Sequence, residues 1–192
     1  MNDLNKFKST YYTDNKKNVV FNKNSQKYDL AEKMCADYGF EPLIAKTIYA
    51  VPETNRVFFD YPIFKLFAHP TIYSNIVDYA FAIFTQLIQT YGSFEFHVNM
   101  DTFTVTAAER YKKIIELFCR NPAEGDIEFT KFLTKIYIYN TPGMIDNMIQ
   151  MISHLIDPQI LSIVVRYPKQ GTYGKCLQGA TVGQSPSLQP SL

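Results

Sequence analysis

The side chains best suited to chemistry in this 192-residue chain are three histidines, three cysteines and a few Gly- and Ser-containing runs, and their spacing argues against catalysis. His69, His97 and His154 form no H-E-x-x-H and no pairing with cysteine that would ligate a metal. Cys35, Cys119 and Cys176 are odd in number, far apart and without a C-x-x-C, so they read as free thiols behaving as small buried hydrophobes. A nucleophile elbow needs G-x-S-x-G, whereas the nearest run is Gly183-Gln184-Ser185-Pro186. A P-loop needs four residues between its first glycine and Gly-Lys, and the run from Gly171 to Gly174-Lys175 holds two. Glu95, His97 and Asn99 alternate along one segment and could hold a water or a substrate group, but a polar patch on a partly exposed strand is the commoner use of such a trio. Asp78 and Asp101 have no partner that the sequence assigns. The reading is a non-enzyme that needs no metal and no cofactor.

Composition narrows the remaining classes. With 46% hydrophobic, 15% aromatic and 19% charged residues the chain can bury a core, and its length suits one domain. A net charge of +1 supplies no global field for nucleic acid or for an anionic membrane. The 14 Tyr, 15 Phe and absent Trp, beside many Asn and Lys, resemble the drift of an AT-rich coding sequence, as in some viruses. The longest apolar runs, Tyr79 to Phe84 and Ile160 to Val165, fall far short of the roughly 20 residues that span a bilayer. Residues 1–8 lack the apolar core of a signal peptide, and Asn2 stands where myristoylation needs glycine. A cytoplasmic placement follows, peripheral to membranes at most.

Residues 1–28, rich in Asn, Lys, Ser and Thr, show no sustained apolar period and read as a loose arm. Residues 169–192, with Gly, Ser, Pro and Gln, read as a disordered tail. Between them, 29–168 alternates short apolar runs with helical periodicity, the pattern of an α/β domain whose sheet is mostly parallel or mixed and covered by helices. A short helix is expected over Leu30 to Tyr38, then β-rich runs at Leu43 to Val51 and Arg56 to Phe67 around the turn Pro52 to Asn55. Ile72, Ile76, Tyr79, Ile83, Leu87 and Tyr91 mark a helix that starts at Pro70 and stops at Gly92. Phe94 to Met100 alternates as a strand. Thr106-Ala-Ala-Glu109 matches a capping box for a helix through Phe118. After the loop Asn121 to Asp126 come a strand Thr134 to Asn140, a helix from Pro142 or Gly143 to Ile156, and a last strand Ile160 to Arg166.

The order and wording of this spine resemble the CRAL-TRIO family, the lipid-binding domain of phosphatidylinositol-transfer and tocopherol-transfer type proteins. The resemblance rests on Phe94-Glu-Phe-His-Val-Asn-Met-Asp101 with the helix after it, on the strand ending Asn140-Thr141-Pro142, and on the helix and Asp157-Pro158 that follow. It covers roughly Arg56 to Tyr167 and implies a pocket that holds one lipid or apolar small molecule. Its floor would be the sheet, with Phe96, Val98, Ile136, Ile138 and Ile163 as candidates, and Asn140 and Pro142 would be the structural motif. Its gate would be helix 143–156, where Met144, Ile145, Met148, Ile149 and Ile152 would meet the ligand and, transiently, a membrane surface. The residues of that helix fit such a role: Met144, Met148, Met151 and Leu155 form one apolar stripe, and Ile145, Ile149, Ile152 and Ile156 a second beside it.

The chain departs from the family at Phe129-Thr130-Lys131 and Leu161-Ser162, where phosphoinositide-binding members carry head-group charges, so that specificity is not implied. The helical N-terminal extension and the closing helix also lack counterparts. The expectation is therefore a minimal CRAL-TRIO-like domain that binds, and could transfer, a lipid. The alternative is an interaction or structural module of the same fold, serving a protein partner, with its pocket filled by the chain's own aromatics.

Overall fold

A computed structural model describes residues 2–16, 22–120, 128–153, 156 and 158–169. The sheet has five strands in the order β1 (Ile48–Ala50), β2 (Arg56–Asp60), β3 (Phe94–Asn99), β4 (Leu133–Thr141) and β5 (Val164–Pro168). β1 pairs antiparallel with β2, and every later pair is parallel. The chain is thus an α/β fold with a mixed sheet. Because β2 to β5 advance in one direction, right-handed crossovers place all their connecting helices on one face.

Register assigns the two faces. Ala50, Val57, Phe96, Ile136 and Val164 lie in one row across the sheet, and Ile48, Phe59, Val98, Ile138 and Arg166 in another; both belong to the helix-bearing face. The row Tyr49, Phe58, His97, Tyr137 and Val165 belongs to the opposite face. On the helical side α4 (Tyr61–Phe67) brings Phe64 against Phe59, and α5 (Tyr73–Tyr91) stacks Phe84 on Phe94 with centroids 4.7 Å apart. α5 fulfils its periodic pattern: Ile76, Val77, Ala80, Phe84 and Leu87 are buried, and Gly92 closes it at φ +75°.

Several expected boundaries move, each for a local reason. The N-terminal arm is not loose over its described part, since α1 spans Asn2–Asp14 and α2 Lys23–Tyr38. Leu4 and Tyr11 are buried, Phe7 meets Tyr38 edge-on, and Tyr11 Oη donates to Asp29 Oδ2 at 2.5 Å. Positions 4, 7 and 11 are a helical stripe that the surrounding Lys and Asn obscure. The Leu43 to Val51 run is mostly helix, α3 (Phe40–Thr47), with only Ile48–Ala50 in the sheet. The Arg56 to Phe67 run is strand only as far as Asp60, whose side chain accepts from the Ile63 N–H (3.4 Å) and caps α4, with Pro62 in its first turn.

After β3 the cap is Thr104, accepting from the Ala107 N–H, rather than Thr106, and the expected helix divides at Tyr111 into α6 (Val105–Arg110) and α7 (Lys112–Arg120). The loop 121–126 lies outside the described residues. α8 (Phe129–Phe132) precedes β4. The proposed gate helix is α9 (Ile145–Ile152), shorter at both ends than expected; residues 154 and 155 lie outside the described set. The last strand starts later than expected, because Pro158–Ser162 forms α10. Of the expected tail only residue 169 is described.

Candidate ligand cleft and its polar rim

The main core packs over β1 to β3. Phe59, Phe64, Phe84, Phe94 and Phe96 interlock there, with Phe81 and Phe129 stacked at 4.7 Å at the margin. Phe96, expected to floor a pocket, is itself half-buried and meets the Phe59 and Phe84 rings. From the end of β3 across β4 to the start of β5 the packing differs. Val98, Ile136, Ile138 and Ile163 are half-buried and belong to no core cluster among the described residues. Ile163 precedes β5, and its carbonyl accepts from the Ile136 N–H (3.1 Å).

α9 lies on the same side as this floor, since Asp146 on it meets Arg166 Nη1 of the helix-facing row at 2.5 Å. Its apolar attachment is a small satellite cluster: Ile145 and Ala108 are buried, with Phe103, Val105 and Ile149 against them. Fully burying two such side chains yields at most roughly 3–6 kcal/mol before ordering costs, a small hold among the described residues. Of the expected gate residues, Ile145 and Ile149 thus face α6, Met144 is 55% exposed, and Met148 and Ile152 lie on α9 with side chains outside the described set. Leu161 of α10 is also exposed, so two exposed large apolar side chains flank the β4 to β5 connection.

The C-terminal ends of the parallel strands carry a polar cluster at the rim of this cleft, where open α/β sheets commonly bind ligands. Register sets Asp60 beside Asn99, and Asn99 Oδ1 accepts from the Asp101 N–H (3.0 Å) and from Asn140 Nδ2 (2.8 Å). Lys169 Nζ reaches Asp101 Oδ1 at 3.2 Å, and Lys65 Nζ donates to Thr102. Burial pushes the Asp60 carboxyl up from its ordinary value, against the Ile63 and Asn99 hydrogen bonds. Two backbones here are left-handed, Thr102 at φ +63° and Asn140 at φ +54°. The sequence singled out Asn140 and Pro142; the structure shows what they do. Asn140 turns the chain at the end of β4, and the Pro142 carbonyl accepts from the Ile145 N–H to open α9. Asn140→Ala is expected to cost about 1–2 kcal/mol, from left-handed strain plus the lost Asn99 contact, and Asn140→Gly less. Urea midpoints of the three proteins check the order.

His97 lies away from this rim. It is buried on the opposite face, with Nδ1 2.8 Å from Tyr139 Oη and Nε2 3.3 Å from Glu95 Oε2, which also accepts from Arg56 Nε. Its ring stacks on Tyr137 at 4.7 Å. Asp60, Lys65, Thr102 and Lys169 carried no sequence signal beyond the Asp-x-Pro wording of a helix start. Among the described residues no group of His, Cys, Asp and Glu has metal-binding geometry, and no helix is long and apolar enough to cross a membrane. The sequence matches no family model and no curated protein.

Proposed function

We propose that the domain binds, without catalysis, a lipid or other apolar small molecule between α9 and the β4–β5 end of the sheet, as the CRAL-TRIO resemblance implies. The observation that carries this reading is the mismatch between the half-buried floor of Val98, Ile136 and Ile138 and the separate, small cluster that holds α9 above it. Among the described residues, opening α9 would sacrifice that cluster and the Asp146–Arg166 pair and leave the main core intact. Exposed Met144 and Leu161 suit reversible contact with a membrane surface during exchange, each buried side chain contributing at most roughly 1.5–3 kcal/mol.

The interaction-module reading keeps one observation in its favour: over β1 to β3 the chain's own phenylalanines fill the space. Native mass spectrometry of the purified protein separates the two. A stoichiometric lipid, lost in Ile138→Trp and transferred more slowly to vesicles by Met144→Asp, supports the carrier. An empty wild type that accepts no lipid from vesicles supports the module.

A further inference from the structure

We propose that residues 170–192 fold back over the face of the sheet opposite the helices and cover its aromatic rings. Val57 and Phe58 are successive residues of β2 on opposite faces, and both are fully buried. Val57 belongs to the main core with residues of α4 and α5, whereas Phe58 belongs to no core cluster among the described residues. On its face Tyr139 is 1% and His97 4% exposed. The described contacts of these rings run sideways within the face: Tyr49 meets Phe58 at 5.3 Å, Tyr137 and Tyr139 stack on His97, and Tyr167 stacks on Tyr139 at 5.3 Å. Lateral neighbours in a sheet shield the flanks of a ring and leave its outer side open. Closing that side within one chain takes a second layer.

Among the described residues, no helix supplies that layer. α1, α2, α3 and α6 join the core of the other face through Leu4, Met34, Leu43 and Ala107, and Asp146 ties α9 to that side. Two internal connections outside the described set have their anchors there as well. Gln26 Nε2 donates to the Asn15 and Lys16 carbonyls across 17–21, and Phe118 and Phe129, on either side of 121–127, both pack on Phe81.

Residues 170–192 start from a suitable place. Lys169 lies beside Asp101 at 3.2 Å, where the edge strand β5 leaves the sheet. From β5 to β2 is three strand spacings, roughly 14 Å, which about five extended residues cross. The segment has Tyr173, Leu177 and Val182 to set on the rings, Gly171 and Gly174 to let its backbone come close, and one charge, Lys175, to keep in water. Alone it cannot bury enough apolar surface to order itself, and a preformed aromatic face supplies what it lacks. This covering segment and the ligand cleft are on opposite faces, so neither requires the other.

Photo-cross-linking in the full chain tests this arrangement. With p-benzoylphenylalanine in place of Tyr137, irradiation is expected to join the probe to 170–192 within monomers, as read by mass spectrometry of the digested product. The yield should exceed by about tenfold that of the same probe in place of Tyr91 at the end of α5, because docking raises the local concentration above that of a free tether. The probe in place of Tyr49, exposed on β1 and on the same face, is expected to give the same product and guards against a folding defect at Tyr137. Deletion of 170–192 is expected to raise binding of anilinonaphthalene sulfonate several-fold, with a cooperative urea transition retained. Cross-links formed only between two copies, or none to 170–192 from either position, overturn the proposal. A deleted chain that unfolds cooperatively and binds no more dye than the full chain overturns it too.

Discussion

Phe84→Ala is expected to destabilise the domain by about 3–5 kcal/mol, the range for removing a large ring from a core that cannot close over the gap. Phe84 joins three layers. Its ring stacks on Phe94 of β3 at 4.7 Å and 15°, meets Phe96 edge-on at 5.7 Å, and touches Phe81 one turn earlier and Phe129 of α8 at 6.0 Å. Phe96 is fixed by sheet pairing on both sides and Phe94 by its pairing with β4, so they cannot move into the space that alanine leaves. Aromatic pair geometry adds roughly 0.5–1.5 kcal/mol per contact beyond area alone, which favours the upper part of the range. The urea midpoint should fall with an unchanged slope. A loss under about 1 kcal/mol would show that the phenylalanine cluster is loose, and with it the distinction between a filled β1–β3 side and an open β4–β5 side.

That distinction marks how far the sequence could be read. α5 was legible because its apolar positions repeat over 19 residues and end at a glycine that takes φ +75°. β3 and β4 were legible from alternation, and the register confirms that Phe96 and Ile136 share one face while His97 and Tyr137 share the other. The α3 and α4 segments were not legible. Eight and seven residues are too few for a helical period to stand out from a strand-like run of Ile, Phe and Tyr, and tertiary burial decided the outcome. α1 was missed because composition outweighed a three-residue stripe, although that stripe docks it on α2.

The site divides in the same way. Asn140 and Pro142 were legible as a motif, and the strand end they shape sits where ligands meet parallel sheets. The rest of the polar rim was not, because Asp60 with Lys65, Asp101 and Lys169 come from three separate segments that only the crossovers bring together. The two apolar stripes of α9 were legible as a pattern, yet sequence could not say against what they pack. Ile145 and Ile149 turn to α6, and Ile136 and Ile138 of the β4 floor join no core cluster among the described residues.

Acidification below pH 6.5 is expected to destabilise the protein, with His97 carrying a large share. In the neutral tautomer, Nε2–H donates to Glu95 and Nδ1 accepts from the Tyr139 hydroxyl, so every polar group is satisfied. Burial lowers the His97 pKa below 6.5, Arg56 adds to this, and Glu95 opposes it. The unfolded chain therefore takes up the proton first. Stability from this group is complete above pH 6.5 and falls as pH drops toward the lowered folded value, below which it stays constant. Burial lowers the pKa of His69 too, against Glu32, so its contribution has the same sign. Asp60 has the opposite sign: its raised carboxyl pKa gives stability that is lost as pH rises through that value, in the window above 3.8. His97→Phe keeps a ring against Tyr137 and removes both polar contacts. It is expected to cost roughly 1–3 kcal/mol at neutral pH, because the Tyr139 hydroxyl and the Glu95 carboxylate each lose a partner. It should also flatten the acid limb of stability against pH while leaving the part due to His69. Urea midpoints measured across this range for both proteins decide the matter: an acid limb of equal slope in wild type and variant would mean that His97 takes up its proton equally in the folded and unfolded chain, with Glu95 cancelling the effect of burial.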